Sequence, residues 1–232
     1  TFPSGEVASL DDNSNLCMLC HQGRASKSSI DNAIAGSPGP YSFTNIHYFP
    51  TAAVLFGYEV HGGYEYPGKA YAGRNTFPNH MGKFDTCVEC HMGTMGPAAN
   101  KSHNVARPNK ANCVDCHGQD VSQPYPGADP AKFMFSGIRP GSMPDFDGDG
   151  NTGESLKAEI QGLEAALYAQ MQAYGFAIGN PVIYDSHTYP YFFKDPNGNG
   201  LVDPGEAIYP NRYSFDAKLL KAAYNYQMSL KE

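Results

Sequence analysis

Three copies of one pentapeptide carry the most specific chemistry in the chain: Cys17-Met18-Leu19-Cys20-His21, Cys87-Val88-Glu89-Cys90-His91 and Cys113-Val114-Asp115-Cys116-His117. Together they use all six cysteines. In C-x-x-C-H the two thiols stand at the spacing that lets them add across the two vinyl groups of one haem, and the next histidine becomes the proximal ligand of its iron. A zinc knuckle takes two C-x-x-C pairs, so three pairs do not divide evenly, and zinc gives no reason for a histidine at the same place each time. A thioredoxin-like redox pair wants one motif beside a βαβ pattern, which is absent. A disulfide inside C-x-x-C is a poor staple for a large fold. The pattern therefore predicts three haem c groups, with Cys17, Cys20, Cys87, Cys90, Cys113 and Cys116 as thioether anchors and His21, His91 and His117 as proximal ligands.

Each iron takes a second axial ligand, and five histidines remain: His47, His61, His80, His103 and His187. The supply exceeds the need, so bis-histidine ligation is the economical expectation. The favoured distal set is His47, His80 and His103, with His61 as the alternate. His80 and His103 each shortly precede an attachment motif, so one segment can ligate one haem while binding the next. His187 lies far from the motifs and is expected to be a solvent histidine. Methionine competes, because Met81, Met92 and Met95 lie close to the second motif, and a Met/His site has the higher potential.

Beyond about Pro124 cysteine disappears, and two acidic glycine-rich loops suggest calcium. Asp195, Asn197, Asn199, Gly200, Leu201, Asp203 and Glu206 satisfy D-x-[DN]-x-[DN]-G-x5-E in full, with Leu201 offering its carbonyl and Glu206 both carboxylate oxygens. The earlier loop sets Asp145, Asp147, Asp149 and Asn151 around Gly148 and Gly150, but Leu156 holds the position of the closing glutamate. Glu154 or Glu159 is the expected substitute. One or two calcium ions are thus anticipated, in isolated loops rather than a paired EF-hand.

The elements that must position these groups are short. Gly 25 and Pro 18 in 232 residues, with 17% charged residues, read as a loop-rich protein in which buried haems serve as the core. One helix is expected around Ser28 to Ala35, stopped by Gly36. A long one is expected over residues 154 to 174, ending before Gly175, and another from an N-cap at Ser214. Segments AAVLFGYEV and YEYPGKAY suggest strands or extended chain, and NPVIYDSHTYPYFF an extended surface segment. The fold class is mostly irregular with α-helices and little β: a triheme module at 1–123 followed by a haem-free helical calcium-loop module at 124–232.

The net charge of −7 argues against nucleic acid or an anionic membrane as partner, and no stretch suits a transmembrane helix. Residues 1 to 16 do not read as a signal peptide, so the numbering reads as that of an exported, mature chain; the helical pattern is still running at Lys231, so a longer C-terminus is conceivable.

With these three attachment sites, interspersed histidines and calcium-type loops, the sequence resembles the multihaem c-type cytochromes of metal-respiring microbes, in particular extracellular, filament-forming, nanowire-type cytochromes. The resemblance implies electron transport along stacked haems and a homopolymer in which one distal histidine passes to the adjacent subunit. It also implies other redox proteins or extracellular electron acceptors as partners. A six-coordinate iron has no vacant site for substrate, so the expectation is a carrier and not an enzyme. The alternatives are a soluble periplasmic electron shuttle and a multihaem reductase with one open haem.

Overall fold

The computed structural model describes residues 1–10, 13–47, 49–74, 86–92 and 144–231. Helices and loops dominate these residues, and the one sheet has two strands. The described residues belong to two compact units. The first gathers Thr1–Ser9, Met18–Thr76 and Ala166–Glu232, and so draws on both sides of residue 124; the second gathers Leu10–Cys17 and Phe77–Ala165.

The first unit contains helices α2 (Lys27–Ala35) and α3 (Thr51–Phe56). Ser29 Oγ accepts the Ser26 N–H at 3.1 Å and fixes the start of α2, which ends at Gly36 as expected. The AAVLF stretch, expected to be extended, instead lies within α3 and buries Ala52, Ala53 and Phe56. Its exit needs Gly57, at φ +57, because a Cβ there would stand 2.2 Å from the Ala72 carbonyl oxygen.

The long periodic stretch forms α5 (Leu156–Ala177). It continues through Gly175, the expected stop, to Ala177. Gly175 is there for close approach, since a Cβ would meet the Asn180 carbonyl oxygen at 2.9 Å. The helix is closed by Gly179 at φ +70, with the Asn180 N–H returning to the Gly175 carbonyl. The last helix, α6 (Ala217–Leu230), is capped by Asp216, whose carboxylate accepts the Leu219 N–H at 2.7 Å. Ser214 was the expected cap, but Phe215 is still extended and pairs with Tyr41.

Between α5 and α6 the chain forms an antiparallel hairpin of β1 (Val182–Tyr184) and β2 (Phe192–Lys194). This corrects the reading of NPVIYDSHTYPYFF as a surface segment, because Val182, Ile183, Phe192 and Phe193 are fully buried. Phe192 packs on Phe43, Phe215 and Tyr184 at ring separations of 4.7 to 5.5 Å. The unit therefore has an aromatic protein core of its own, where composition had suggested that haems would supply it. Asn225 of α6 ties this core to the loop after His61: its side chain accepts the Tyr64 N–H at 2.7 Å and donates to the Tyr64 carbonyl at 2.9 Å. Tyr224 Oη donates to the Gly62 carbonyl at 2.8 Å.

Candidate functional site

The first attachment motif lies on helix α1 (Ser14–His21) and the second is itself helix α4 (Cys87–His91). In a helix, residues three apart share a face, so each pair of thiols points the same way. The first intervening residue of each motif is buried, Met18 at 7% and Val88 at 4%. Ser14 at the start of α1 is also buried, whereas Cys20 and His21 are exposed and Leu16 and Leu19 stand 71% and 67% exposed. Apolar side chains so placed beside two cysteines form a surface that a flat apolar macrocycle would cover. None of the four described cysteines is in a disulfide. Thr86 starts α4 by accepting the Glu89 N–H at 3.3 Å, while the Glu89 carboxylate accepts the Thr86 N–H at 3.2 Å. Ser14 Oγ accepts the Val88 N–H at 3.0 Å and holds the second motif by its buried side. The residues present fit covalently bound haem. The third motif, with Cys113, Cys116 and His117, lies outside the described residues.

Of the distal candidates, His80 and His103 also lie outside the described residues, as do Met81 and Met95. His47 and His61 are described, and both occupy the left-handed region, at φ 77 and 48. Side chains other than glycine pay for that conformation, and such positions cluster at functional sites. His47 is exposed; its N–H donates to Asn45 Oδ1 at 2.9 Å and its carbonyl accepts from Lys231 Nζ at 2.7 Å. The His61 ring has Nδ1 2.8 Å from Glu65 Oε2, an arrangement that orients an imidazole and directs Nε2 away from the carboxylate. Glu65 was missed in the sequence, although its place four residues after His61 was the available signal. His187 is exposed in the turn between β1 and β2, in line with its reading as a solvent histidine.

The two acidic loops share one hydrogen-bond skeleton. Asp145 accepts the N–H groups of Gly148 and Gly150 at 2.7 and 2.9 Å, and Asp195 those of Gly198 and Gly200 at 2.9 and 2.7 Å. Asp147, Asp149, Asn197 and Asn199 each accept the N–H two residues on. Gly150 and Gly200 hold the sharp turn at φ 90 and 77.

In the first loop carboxylate oxygens of Asp145, Asp147 and Asp149 approach within 4.8 Å of one another, as do those of Asp147, Glu154 and Glu159. Glu159 is fully buried and accepts the N–H groups of Phe146 and Asp147 at 2.8 and 3.1 Å. Glu154 and Glu159, the two expected substitutes for the glutamate that Leu156 replaces, both stand in the second of these groups. The Gly150 and then Gly148 N–H groups hold the Asp145 carboxyl below the usual carboxylate range. The Asp149 N–H pulls Asp147 the same way, but desolvation and the charges of Asp149, Glu159 and Asp145 outweigh it and push the carboxyl up. In the second loop Asn197 Nδ2 and Asn199 Nδ2 both donate to Asp203 Oδ2, and the Asp203 N–H donates to Glu206 Oε2 at 3.0 Å. Leu201 is exposed at the seventh position, and Gln172 of α5 donates to the Gly200 carbonyl at 2.7 Å.

No helix among the described residues is long and apolar enough to cross a membrane. The chain is 32% identical over 203 residues to the C-type polyheme cytochrome OmcB of Geobacter sulfurreducens, a match covering 87% of the chain and 24% of that protein. It is 27% identical over 216 residues to the C-type polyheme cytochrome OmcC of the same organism, covering 87% and 23%. The chain thus spans about a quarter of the length of the curated relatives it matches. No family model and no solved structure matches it. Over most of its own length, the chain resembles multihaem c-type cytochromes.

Proposed function

We propose that this chain carries electrons, holding three c-type haems through Cys17 and Cys20, Cys87 and Cys90, and Cys113 and Cys116. The observation that carries the reading is the use of every cysteine in C-x-x-C-H, with the two described motifs on helices. When bound, haem supplies a one-electron ferric/ferrous couple. His21, His91 and His117 would each hold one haem iron. His47, His80 and His103, with His61 as alternate, would supply the second imidazole to each, and iron held by two imidazoles would have no position for a substrate. The chain is accordingly a carrier and not an enzyme, and passes electrons to other redox proteins or extracellular acceptors.

The proposed location is outside the cytoplasm, at the cell surface or beyond, with the periplasm as the alternative. Asp145, Asp147, Asp149 and Asn151, closed by Glu159, and Asp195, Asn197, Asn199, Leu201, Asp203 and Glu206 are proposed to bind calcium. A homopolymeric filament is the proposed assembly. Negative-stain microscopy of native material, with and without a calcium chelator, should show fibres; dispersed particles in both states would favour a shuttle.

Intact-mass measurement tests the haem reading directly. The expected result is the polypeptide mass plus three haem increments, and the bare mass would overturn it.

A further inference from the structure

A groove in the first unit joins the segment carrying His47 to the last turn of α6 and to the β1–β2 hairpin. It encloses about 520 Å³ and is lined by His47, Phe49, Tyr184, Tyr226, Leu230 and Lys231 among others. That volume lies within the range of about 300–1,000 Å³ in which cofactor sites fall.

We infer that this groove seats a haem: His47 ligates its iron, Tyr184, Tyr226 and Leu230 form the wall against the macrocycle, and Lys231 provides the counter-charge for a propionate. The inference rests on the electron-carrier reading and adds to it that residues beyond 124, which carry no attachment motif, build part of a haem pocket.

Three features of the lining converge. The aromatic wall is rigid, because Tyr226 stacks on Tyr168 with centroids 5.1 Å apart and receives Tyr184 edge-on at 5.3 Å. At the rim, the half-buried Lys231 ammonium donates to the His47 carbonyl and to Asn45 Oδ1, and sits 5.0 Å from the Tyr191 ring centroid. Among the described residues it has no carboxylate partner. A cation surrounded by neutral groups at the edge of an apolar groove is completed by an anion. Last, His47 and Tyr191 both hold left-handed backbone beside the groove. A ligand with a flat apolar face, a metal that takes imidazole and a carboxylate fringe satisfies all three.

The segment just after the first attachment motif is tied to the residue before His47. The Arg24 N–H, three residues past His21, donates to the Ile46 carbonyl at 2.9 Å. A Cβ on Gly23 would touch Ile46 at 3.2 Å.

The test uses the full chain with haems attached, followed by intact mass, electron paramagnetic resonance and potentiometric titration. Lys231→Glu should retain three haem increments and lower the midpoint of one haem only, since a negative charge at that rim disfavours reduction. Lys231→Gln should move the same midpoint less and in the same direction. His47→Ala should remove one bis-histidine low-spin signal, belonging to that same haem. Lys218→Glu, an exposed charge change over the Tyr174 ring, should leave all three midpoints in place. Unmoved midpoints in Lys231→Glu, or a His47→Ala loss at a different haem, would overturn the seat while leaving the carrier reading intact. A wild-type chain without haem increments would overturn the carrier reading itself.

Discussion

Glu159→Gln separates the two roles that the first acidic loop assigns to this side chain. The glutamate accepts two backbone N–H bonds, and it completes a group of carboxylates with Asp147 and Glu154. Glutamine still accepts both bonds. Exchanging a charged for a neutral acceptor costs about 1 kcal/mol per bond, and relief of repulsion with Asp147 acts in the opposite direction. In chelator, therefore, stability should fall by less than about 2 kcal/mol. With calcium the outcome differs, because an ion at one hundred times its dissociation constant contributes about 2.7 kcal/mol. For a chain of this size each kcal/mol raises the melting temperature by about 2–4 °C, so this loop's calcium-dependent rise is about 5–11 °C. Calorimetry of wild type and Glu159→Gln, each with calcium and with chelator, isolates that rise, since the second loop contributes equally to both. The pH dependence adds a second reading. The folded-state pKa of Asp147 is raised, so in chelator its ionisation works against folding as pH climbs through the carboxylate range, and stability returns as pH falls below it. In Glu159→Gln one of the opposing charges is gone, and Asp147 should titrate closer to its ordinary value. Equal calcium-induced rises in the two proteins would refute the closing role of Glu159.

Two further predictions concern the frame around the groove. Tyr224→Phe leaves the Gly62 carbonyl without its buried donor and should cost about 1–3 kcal/mol, read as a lower urea midpoint with unchanged m-value. Gly57→Ala places a methyl group 2.2 Å from the Ala72 carbonyl oxygen in left-handed backbone, and should cost at least about 1–3 kcal/mol in the same assay.

The attachment motifs, the long helix and both acidic loops were legible because each depends on local spacing. Leu156, Ile160, Leu163, Leu167 and Met171 recur at helical intervals, and α5 forms over them. Its end was misplaced because Gly175 serves packing against Asn180, a tertiary reason that composition does not reveal. The start of α6 was misplaced by two residues for a similar cause: Phe215 is held extended by its pairing with Tyr41, which passes the cap to Asp216. The hairpin was read as surface because Val182-Ile183-Tyr184 and Phe192-Phe193-Lys194 do not alternate in polarity. Two adjacent residues of each strand are buried, one on either face, as happens where a short strand is covered on both sides. Glu154 and Glu159 were visible as the two substitutes, and both lie in one group of carboxylates with Asp147. Tyr184, Tyr226 and Lys231 had no local signal, because the groove exists only once distant segments meet.

The two loops share their backbone skeleton and differ in charge, which gives them different dependence on an ion. Asp145, Asp147, Asp149, Glu154 and Glu159 bring five carboxylates to the first loop, whereas the second has Asp195, Asp203 and Glu206, with Asn197 and Asn199 between them. In the second, both asparagine amides donate to Asp203 Oδ2, so neutral donors satisfy that carboxylate without a cation. In the first, desolvation and then the charges of Asp149, Glu159 and Asp145 push the Asp147 carboxyl up. A divalent ion binds more tightly where more ligand charges converge, and it also relieves more strain there. On the calcium reading, the first loop is therefore the one whose shape depends on the ion, and the second keeps its turn by its own hydrogen bonds. Removal of calcium should accordingly increase backbone hydrogen exchange across residues 145–153 well before it does so across 195–206.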